Sequence, residues 1–164
     1  MDALISGRVD YCNILYFGLP ACSIYRLQSV LNSAARLISG RARWDHISSF
    51  IKNELHWLPV VLRTEYKLIF IMRNCLIGTA PAYLRELCSL TSVKPGRAAL
   101  RSSSHGDLVV HRARLTSFQR RSFATSAPSL WNSLPFTFRR EILSLGPSSF
   151  RSKLKPFLFN RERL

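Results

Sequence analysis

The sequence is short of the residues from which catalytic sites are built. Only 9 of its 164 residues are Asp or Glu, and none of the four aspartates, Asp2, Asp10, Asp45 and Asp107, is next to another. Metal-dependent nucleotide transfer requires two ions held by carboxylates that lie close together, which this pattern does not provide. With seven glycines, the chain has neither a Gly-rich phosphate loop nor a Gly-x-Ser-x-Gly elbow. We therefore expect that the chain is not an enzyme and holds no cofactor.

Cysteine is scarce as well, and its spacing argues against a metal site. Cys12, Cys22, Cys75 and Cys88 form no Cys-x-x-Cys pair and no Cys–His knuckle, so we expect no zinc site. Cys75 and Cys88 lie in apolar helical patterns, where a free cysteine usually acts as a small buried hydrophobe. Unpaired cysteines are typical of a reducing compartment, so we expect an intracellular protein.

Long hydrophobic runs are absent. The longest, at 68–72, is far too short to cross a membrane. Residues 1–5 lack the basic region and the long apolar stretch of a secretory signal peptide. We therefore expect neither a signal peptide nor a membrane as a partner.

Positive charge is what the sequence has in excess. The formal net charge is +15, and 19 of the 24 basic residues are arginine, whose planar guanidinium binds phosphate in a bidentate manner and stacks on bases. Residues 1–88 carry a net +4 and residues 89–164 a net +11. This excess, with a sequence pI near 10.9, indicates a polyanionic partner, above all RNA or DNA. The alternative is a basic surface that only interacts with solvent.

Hydrophobic periodicity predicts a mainly helical first half. Apolar residues recur three or four positions apart over 23–38, and Gly40 provides a stop. The same spacing runs from Pro59 to residue 77, with Pro59 in the first turn, where its missing N–H costs nothing. Shorter helices are predicted at 3–15, at 47–55 with Asp45 as its cap, at 81–88 and at 148–159.

The composition of the chain changes at Ser89. Residues 89–106 are rich in Ser, Lys and Arg and contain Pro and Gly but few apolar residues, which is typical of a linker. The predicted organisation is therefore a helical subdomain at 1–88, a linker at 89–106 and a basic C-terminal subdomain at 107–164.

The second half contains two short segments with β character. Residues 107–111 and 121–125 predict a small hairpin or ribbon. Ser126 should then cap a helical turn near Pro128, and Pro135 should break the chain again. The predicted fold class is mainly α with one small β hairpin in the second half, α+β overall.

Two histidines and two tryptophans could belong to a site, but ordinary packing explains them more simply. His46 and His56 flank the predicted helix at 47–55 and fit helix capping and a local hydrogen bond better than a catalytic or metal pair. Trp57 and Trp131 could stack on nucleic-acid bases. Each stands in a Leu-rich motif beside a Pro turn, so we expect both to lie in the core.

Short motifs run through the chain in a fixed order, two of them with tryptophan: Leu-His-Trp-Leu-Pro at 55–59 and Leu-Trp-Asn-Ser-Leu-Pro at 130–135. Together they resemble the region that follows the reverse transcriptase domain in jockey-like LINE (non-LTR) retrotransposon polyproteins. The chain departs from the family's pattern at His111, where the family usually has Pro, and around 94–99. The motifs lie at 9–13 with 18–20, 26–28 with 32–38, 45–47 with 55–60, 80–84, 100–103, 127–135 and 149–155.

The resemblance implies a truncated fragment of a retrotransposon RNA-directed DNA polymerase polyprotein. It implies a post-polymerase thumb or connector region at 1–88 and an accessory nucleic-acid-binding role without a catalytic site. The implied partners are element RNA or the target-primed duplex, and the upstream polymerase domain of the parent polyprotein; by analogy the family favours the nucleus. Two alternatives stay open, a structural or protein-interaction module and a decayed relic without a selected function.

The basic residues of the second half are the candidate nucleic-acid contacts. Four of them, at 112, 114, 120 and 121, lie on and beside the predicted ribbon, where arginines can follow a phosphate backbone. The alternative is a solvated basic face, or pairing with acidic residues of the polymerase. The full set is Arg112, Arg114, Arg120, Arg121, Arg139, Arg140, Arg151, Lys153 and Lys155.

Overall fold

The first 64 residues form a helical unit. The computed structural model describes residues 2–93, 96, 105–111 and 121–161, and the chain divides into two compact units, Met1–Thr64 and Glu65–Leu164. The long helix α4, Val60–Leu76, begins in the first unit and continues in the second. Before it come α1 at Asp2–Asp10, a 3-10 helix at Asn13–Tyr16, α2 at Ala21–Ser39 and α3 at Ser48–Asn53.

Helix α2 confirms the helix predicted at 23–38. It ends where Gly40 adopts a φ of 65° and donates its N–H to the Arg36 carbonyl, a left-handed conformation that glycine adopts without steric cost. The predicted apolar stripe is wider than the face that the unit buries. Its buried members include Leu31 and Ala34, whereas Val30, Leu37 and Ile38 are exposed.

Polar contacts fix the start of α4 against α1 and α2. The Gln28 side chain accepts the Val60 N–H at 2.9 Å. Arg63 donates to both carboxylate oxygens of Asp10, at 2.9 and 3.0 Å. These contacts surround a core that consists of Val9, Leu31, Ala34, Ala35, Ile47, Ile51, Trp57 and Val60.

Helix α3 begins without the side-chain cap that the sequence predicted. Its N-cap residue is Ile47, and no side-chain cap bonds its first turn. The Asp45 carboxylate instead accepts the Ala42 N–H at 2.9 Å. The predicted capping roles of Asp45 and His46 are therefore wrong, because the carboxylate closes the turn that precedes the helix.

The second unit is also helical. The helices at Val60–Leu76 and Pro147–Arg161 confirm those predicted from Pro59 to residue 77 and at 148–159, and the helix at Ala82–Arg85 is shorter than the one predicted at 81–88. No helix in the described ranges is both long enough and apolar enough to span a membrane. After α4 come α5 at Ala82–Arg85, a 3-10 helix at Thr91–Val93, α6 at Phe123–Asn132, α7 at Phe136–Ser144 and α8 at Pro147–Arg161.

Helix α7 was not predicted, because Pro135 reads as a break. Pro135 is instead the N-cap residue of α7, a position at which the missing N–H costs nothing. Helix α8 packs against α4 and α7 through aromatic pairs. The ring centroids of Phe70 and Phe150 are 6.0 Å apart, and those of Phe138 and Phe157 are 3.8 Å apart in a stacked arrangement.

The predicted β hairpin is wrong, since its second segment begins a helix. Ser122 is the N-cap residue of α6, which continues through Pro128. Phe123 and Thr125 favour a strand by intrinsic preference, but burial along the helix outweighs that weak term. The buried side chains of α6 include Ala127, Leu130 and Trp131.

The first segment of the predicted hairpin, 107–111, is held by other neighbours. Leu108 forms an isolated antiparallel bridge with Leu90, and elsewhere in the described residues no strand occurs. The side-chain amide of Asn132 accepts the Leu108 N–H and donates to the Leu108 carbonyl, both at 2.9 Å. This amide takes the hydrogen-bonding place that a neighbouring strand would have filled.

The predicted linker at 89–106 is described only in part. Residues 94, 95 and 97–104 lie outside the described residues, whereas Thr91 donates its N–H to the Asp107 carbonyl at 2.9 Å. The division into 1–88, 89–106 and 107–164 stays a prediction. The boundary between the two compact units falls after Thr64, inside α4.

Candidate nucleic-acid interface

The nine basic residues predicted to contact nucleic acid have different surroundings. Arg112, Arg114 and Arg120 lie outside the described residues, so their roles stay predictions. Arg121 precedes α6 and is half-buried. The other five lie on α7 and α8 of the second unit.

Arg139 is engaged inside the fold. Its side chain is buried and donates to the Asp107 carboxylate at 2.7 Å. The amide of Asn132 holds the next residue, Leu108, and thereby places this carboxylate. A buried, paired guanidinium has little access to a phosphate, so the geometry favours a structural role for Arg139.

Exposed basic side chains lie on the outer faces of α7 and α8. Arg140 is exposed, and its neighbour Glu141 forms an ion pair with Lys153 of α8. Arg151 is exposed and Lys155 is half-buried. Because these two are four residues apart, they lie on one side of α8. Arg140, Arg151 and Lys155 therefore offer cationic groups to a ligand of this unit.

The turn between α2 and α3, residues 40–46, was missed by the sequence reasoning. Asp45 donates its N–H to the Ala42 carbonyl at 3.2 Å, and its carboxylate accepts the Ala42 N–H at 2.9 Å. Arg43 and Trp44 are therefore the two central residues of a four-residue turn that is closed from both ends. Both are exposed to solvent.

Two arginines tie this turn to the helix before it and to the residue after it. Arg36, in the last turn of α2, donates from Nη2 to the Asp45 carbonyl at 3.4 Å. Arg41 donates from Nη1 to the His46 carbonyl at 3.1 Å, and its guanidinium carbon lies 5.2 Å from the ring centroid of Phe50. These contacts fix the base of the turn in place.

Trp44 differs from the other tryptophans. It is 85% exposed, whereas Trp57 and Trp131 are 6% and 1% exposed, which confirms that those two belong to the core. The guanidinium carbon of Arg43 lies 5.5 Å from the Trp44 ring centroid. The sequence signal for this site was the run Arg-Ala-Arg-Trp directly after the helix-ending Gly40, outside any apolar periodicity.

Side chains that could act in metal or covalent chemistry are dispersed or buried. Among the residues that the structure describes, no three His, Cys, Asp or Glu side chains form a group that could hold a metal ion. Burial raises the pKa of the Cys75 and Cys88 thiols. The contact between them raises the pKa of Cys88 further, to about 12, and lowers that of Cys75 without cancelling the effect of burial. Both thiols are therefore poor nucleophiles at neutral pH. His56 lies with Nδ1 3.1 Å from the Lys52 carbonyl, the local hydrogen bond that was predicted.

Compared with known proteins, the chain matches no family model, no curated protein and no solved structure.

Proposed function

We propose that this chain is a fragment of the C-terminal region of a retrotransposon RNA-directed DNA polymerase polyprotein. In that polyprotein it would serve as an accessory nucleic-acid-binding domain without a catalytic site of its own. The observation that carries the proposal is the net charge of +11 over residues 89–164, together with the exposed cationic face of α7 and α8. Exposed arginines and lysines bind phosphates and release counterions, which favours binding to RNA or DNA.

The use of the aspartates supports the part of the proposal that concerns catalysis. Asp10 is paired with Arg63, Asp107 with Arg139, and Asp45 closes a backbone turn. Carboxylates that are engaged in this way do not form the close pair that two catalytic metal ions need. In a primer-extension assay with Mg²⁺ or Mn²⁺, the purified chain should give no product above a control without protein. Extension that survives further purification would contradict this part.

Binding is tested by fluorescence anisotropy with a labelled RNA at increasing salt. Affinity should fall by about 0.7–0.9 log unit per phosphate contact for each tenfold rise in salt. Replacing Arg140, Arg151 and Lys155 together by Gln should flatten this slope by about two to three contacts and weaken all sequences alike. Replacing the four arginines at 112, 114, 120 and 121 should flatten it by about two to four contacts.

The matched control replaces three exposed basic residues outside these groups, Arg8, Arg26 and Lys67. It removes the same charge as the triple variant of α7 and α8, and it should change the slope less. Circular dichroism must show that every variant remains folded. Equal losses from the control and test variants would indicate diffuse attraction to a basic protein. No binding at ~50 mM salt, where phosphate contacts are strong, would contradict the proposal.

A second candidate function, a protein-interaction module, is favoured by the outer face of α2. Val30 and Leu37 are seven residues apart and therefore lie on one side of the helix, where they are 53% and 72% exposed. A protein partner would remove this apolar area from water. The upstream polymerase domain is the partner that the family resemblance implies. Under this candidate, Val30→Ser with Leu37→Ser would weaken binding to that domain and leave RNA affinity unchanged. If neither RNA nor the domain binds, the remaining possibility is a decayed copy without a selected function.

A further inference from the structure

We infer that the turn at 40–46 is a binding site for single-stranded nucleic acid, in which Trp44 stacks on an unpaired base and the neighbouring arginines bind phosphates. The inference rests on the proposed function, since it names the form of the ligand and a contact site in the first unit. It concerns residues other than the predicted contacts at 112–155.

Hydrogen bonds within the turn preorganise the backbone that carries the exposed Trp44 ring. Reciprocal hydrogen bonds between Ala42 and Asp45 close it, and Arg36 donates to the Asp45 carbonyl. A ligand that stacks on Trp44 therefore does not have to order the backbone that carries this side chain. Preorganisation lowers the entropic cost of binding, so a small contact can contribute measurably to affinity.

The charges around the ring indicate a phosphate-bearing ligand. The turn and the end of α2 carry three positive charges, on Arg36, Arg41 and Arg43, and one negative charge, on Asp45. The Asp45 carboxylate already accepts a backbone N–H. An aromatic face beside cationic side chains is the arrangement with which proteins bind single strands, because bases stack on the ring while phosphates contact the cations.

The exposed Trp44 ring favours a single strand over a duplex or a protein as its ligand. Inside a duplex the bases are stacked on each other, and only the two end pairs expose a face, so stacking on Trp44 along a strand requires unpaired bases. A protein partner would instead require an apolar surface around the ring. The immediate neighbours of Trp44 are Arg43 and Asp45, which are charged and exposed. These surroundings favour a single-stranded nucleic acid as the occupant.

The test compares four ligands of equal length: single-stranded RNA, single-stranded DNA, blunt duplex DNA and a DNA strand in which every base is replaced by an abasic site. Trp44→Ala should weaken binding of both single strands by roughly 5- to 150-fold. It should leave binding of the abasic strand unchanged, because that ligand offers phosphates without any base. It should change binding of the duplex far less than binding of the single strands, because a duplex exposes only the faces of its end pairs. Trp44→Phe, which keeps an aromatic face, should recover part of the loss.

The natural ligand and the stacking contact have separate readouts. Whichever single strand binds the wild-type chain more tightly, RNA or DNA, is the kind of nucleic acid that the site prefers. Stacking should quench the fluorescence of the exposed tryptophan, and this quenching should disappear in Trp44→Phe. Arg43→Gln should flatten the salt dependence on single strands by about 0.7 log unit per tenfold change, the value of one phosphate contact.

Tyr25→Ala is the matched control, because it removes another exposed aromatic side chain from the same unit. It should bind every ligand as the wild type does. If Trp44→Ala binds single strands like the wild type, or loses affinity equally for the abasic strand, the inference is wrong and the proposed function stands. If the wild-type chain binds none of the four ligands, the proposed function itself fails.

Discussion

Arg73 provides the sharpest test of how the second unit is held together. Its side chain is 2% exposed and has no acidic partner among the described residues. It donates from Nε to the Ile142 carbonyl at 2.8 Å and from Nη2 to the Leu145 carbonyl, so one guanidinium satisfies backbone oxygens at the end of α7. Burial lowers the pKa of Arg73, and its guanidinium carbon lies 4.7 Å from the Phe150 ring centroid.

The perturbation is Arg73→Met, which keeps an unbranched chain as far as the position of Nε and much of its packing but removes the donors. A hydrogen bond to a charged group contributes about 1.5–3 kcal/mol net, so two of them contribute about 3–6 kcal/mol. Leu145 is half-buried, and water that reaches its carbonyl would replace part of the second bond. We therefore expect the free energy of unfolding to fall by about 2–4 kcal/mol.

Urea unfolding followed by circular dichroism measures this loss, with Arg151→Met as the matched control. Arg151 also lies over a phenylalanine ring, with its guanidinium carbon 5.2 Å from the centroid of Phe70, but it is exposed. Its replacement should cost less than about 1 kcal/mol. The reasoning would be refuted if Arg73→Met cost no more than this control, since the carbonyls would then be satisfied without the guanidinium.

Three further predictions concern thiols, acid stability and backbone strain. The pKa of Cys88 is about 12 and that of Cys75 is raised, so both thiols should react with a disulfide reagent far more slowly than the exposed Cys12 and Cys22. Equal reaction rates for all four cysteines would contradict the burial of Cys75 and Cys88. Burial raises the pKa of Glu65 above 4.5 despite the neighbouring Arg161, so the neutral carboxyl favours the folded state. The stability of the wild type relative to Glu65→Gln, measured by urea titration, should therefore be greatest below pH 4.5 and should be lost as the pH rises through the folded pKa. A stability difference that does not vary with pH would exclude this. His56 has a φ of 52°, which glycine adopts at a lower steric cost than alanine. The free energy of unfolding of His56→Gly, measured by thermal unfolding, should therefore exceed that of His56→Ala by about 1 kcal/mol. The reverse order would show that the left-handed conformation is not maintained.

Long apolar periodicity predicted helices correctly, and short local signals did not. The helices α2 and α4 span several turns, so many residues report the same burial pattern. The segment at 121–125 is only five residues long, and its β preference could not outweigh the burial of Trp131 further along α6. Pro135 could not be distinguished from a break by sequence alone, because proline is equally compatible with the start of a helix.

The candidate interface was harder to predict than the fold, because exposure depends on which way each side chain points. Arg139 and Arg140 are neighbours in sequence, yet one is buried against Asp107 and the other is exposed. A helical step of about 100° per residue separates them, and no sequence pattern here reveals which of the two faces inward. The sequence did not predict Trp44 as a site residue, because it belongs to no periodic pattern that would indicate its exposure.

The structural use of basic residues also limits what the net charge can mean for binding. A cation that is buried or ion-paired within the fold releases no counterion when nucleic acid binds, because it does not contact a phosphate. The salt dependence of binding should therefore correspond to fewer phosphate contacts than the net charge of +15 suggests. Exposed groups such as Arg43, Arg140 and Arg151, rather than the arginine count, should determine the slope. The basic side chains engaged within the described parts of the fold include Arg63, Arg73, Arg139, Lys153 and Arg161.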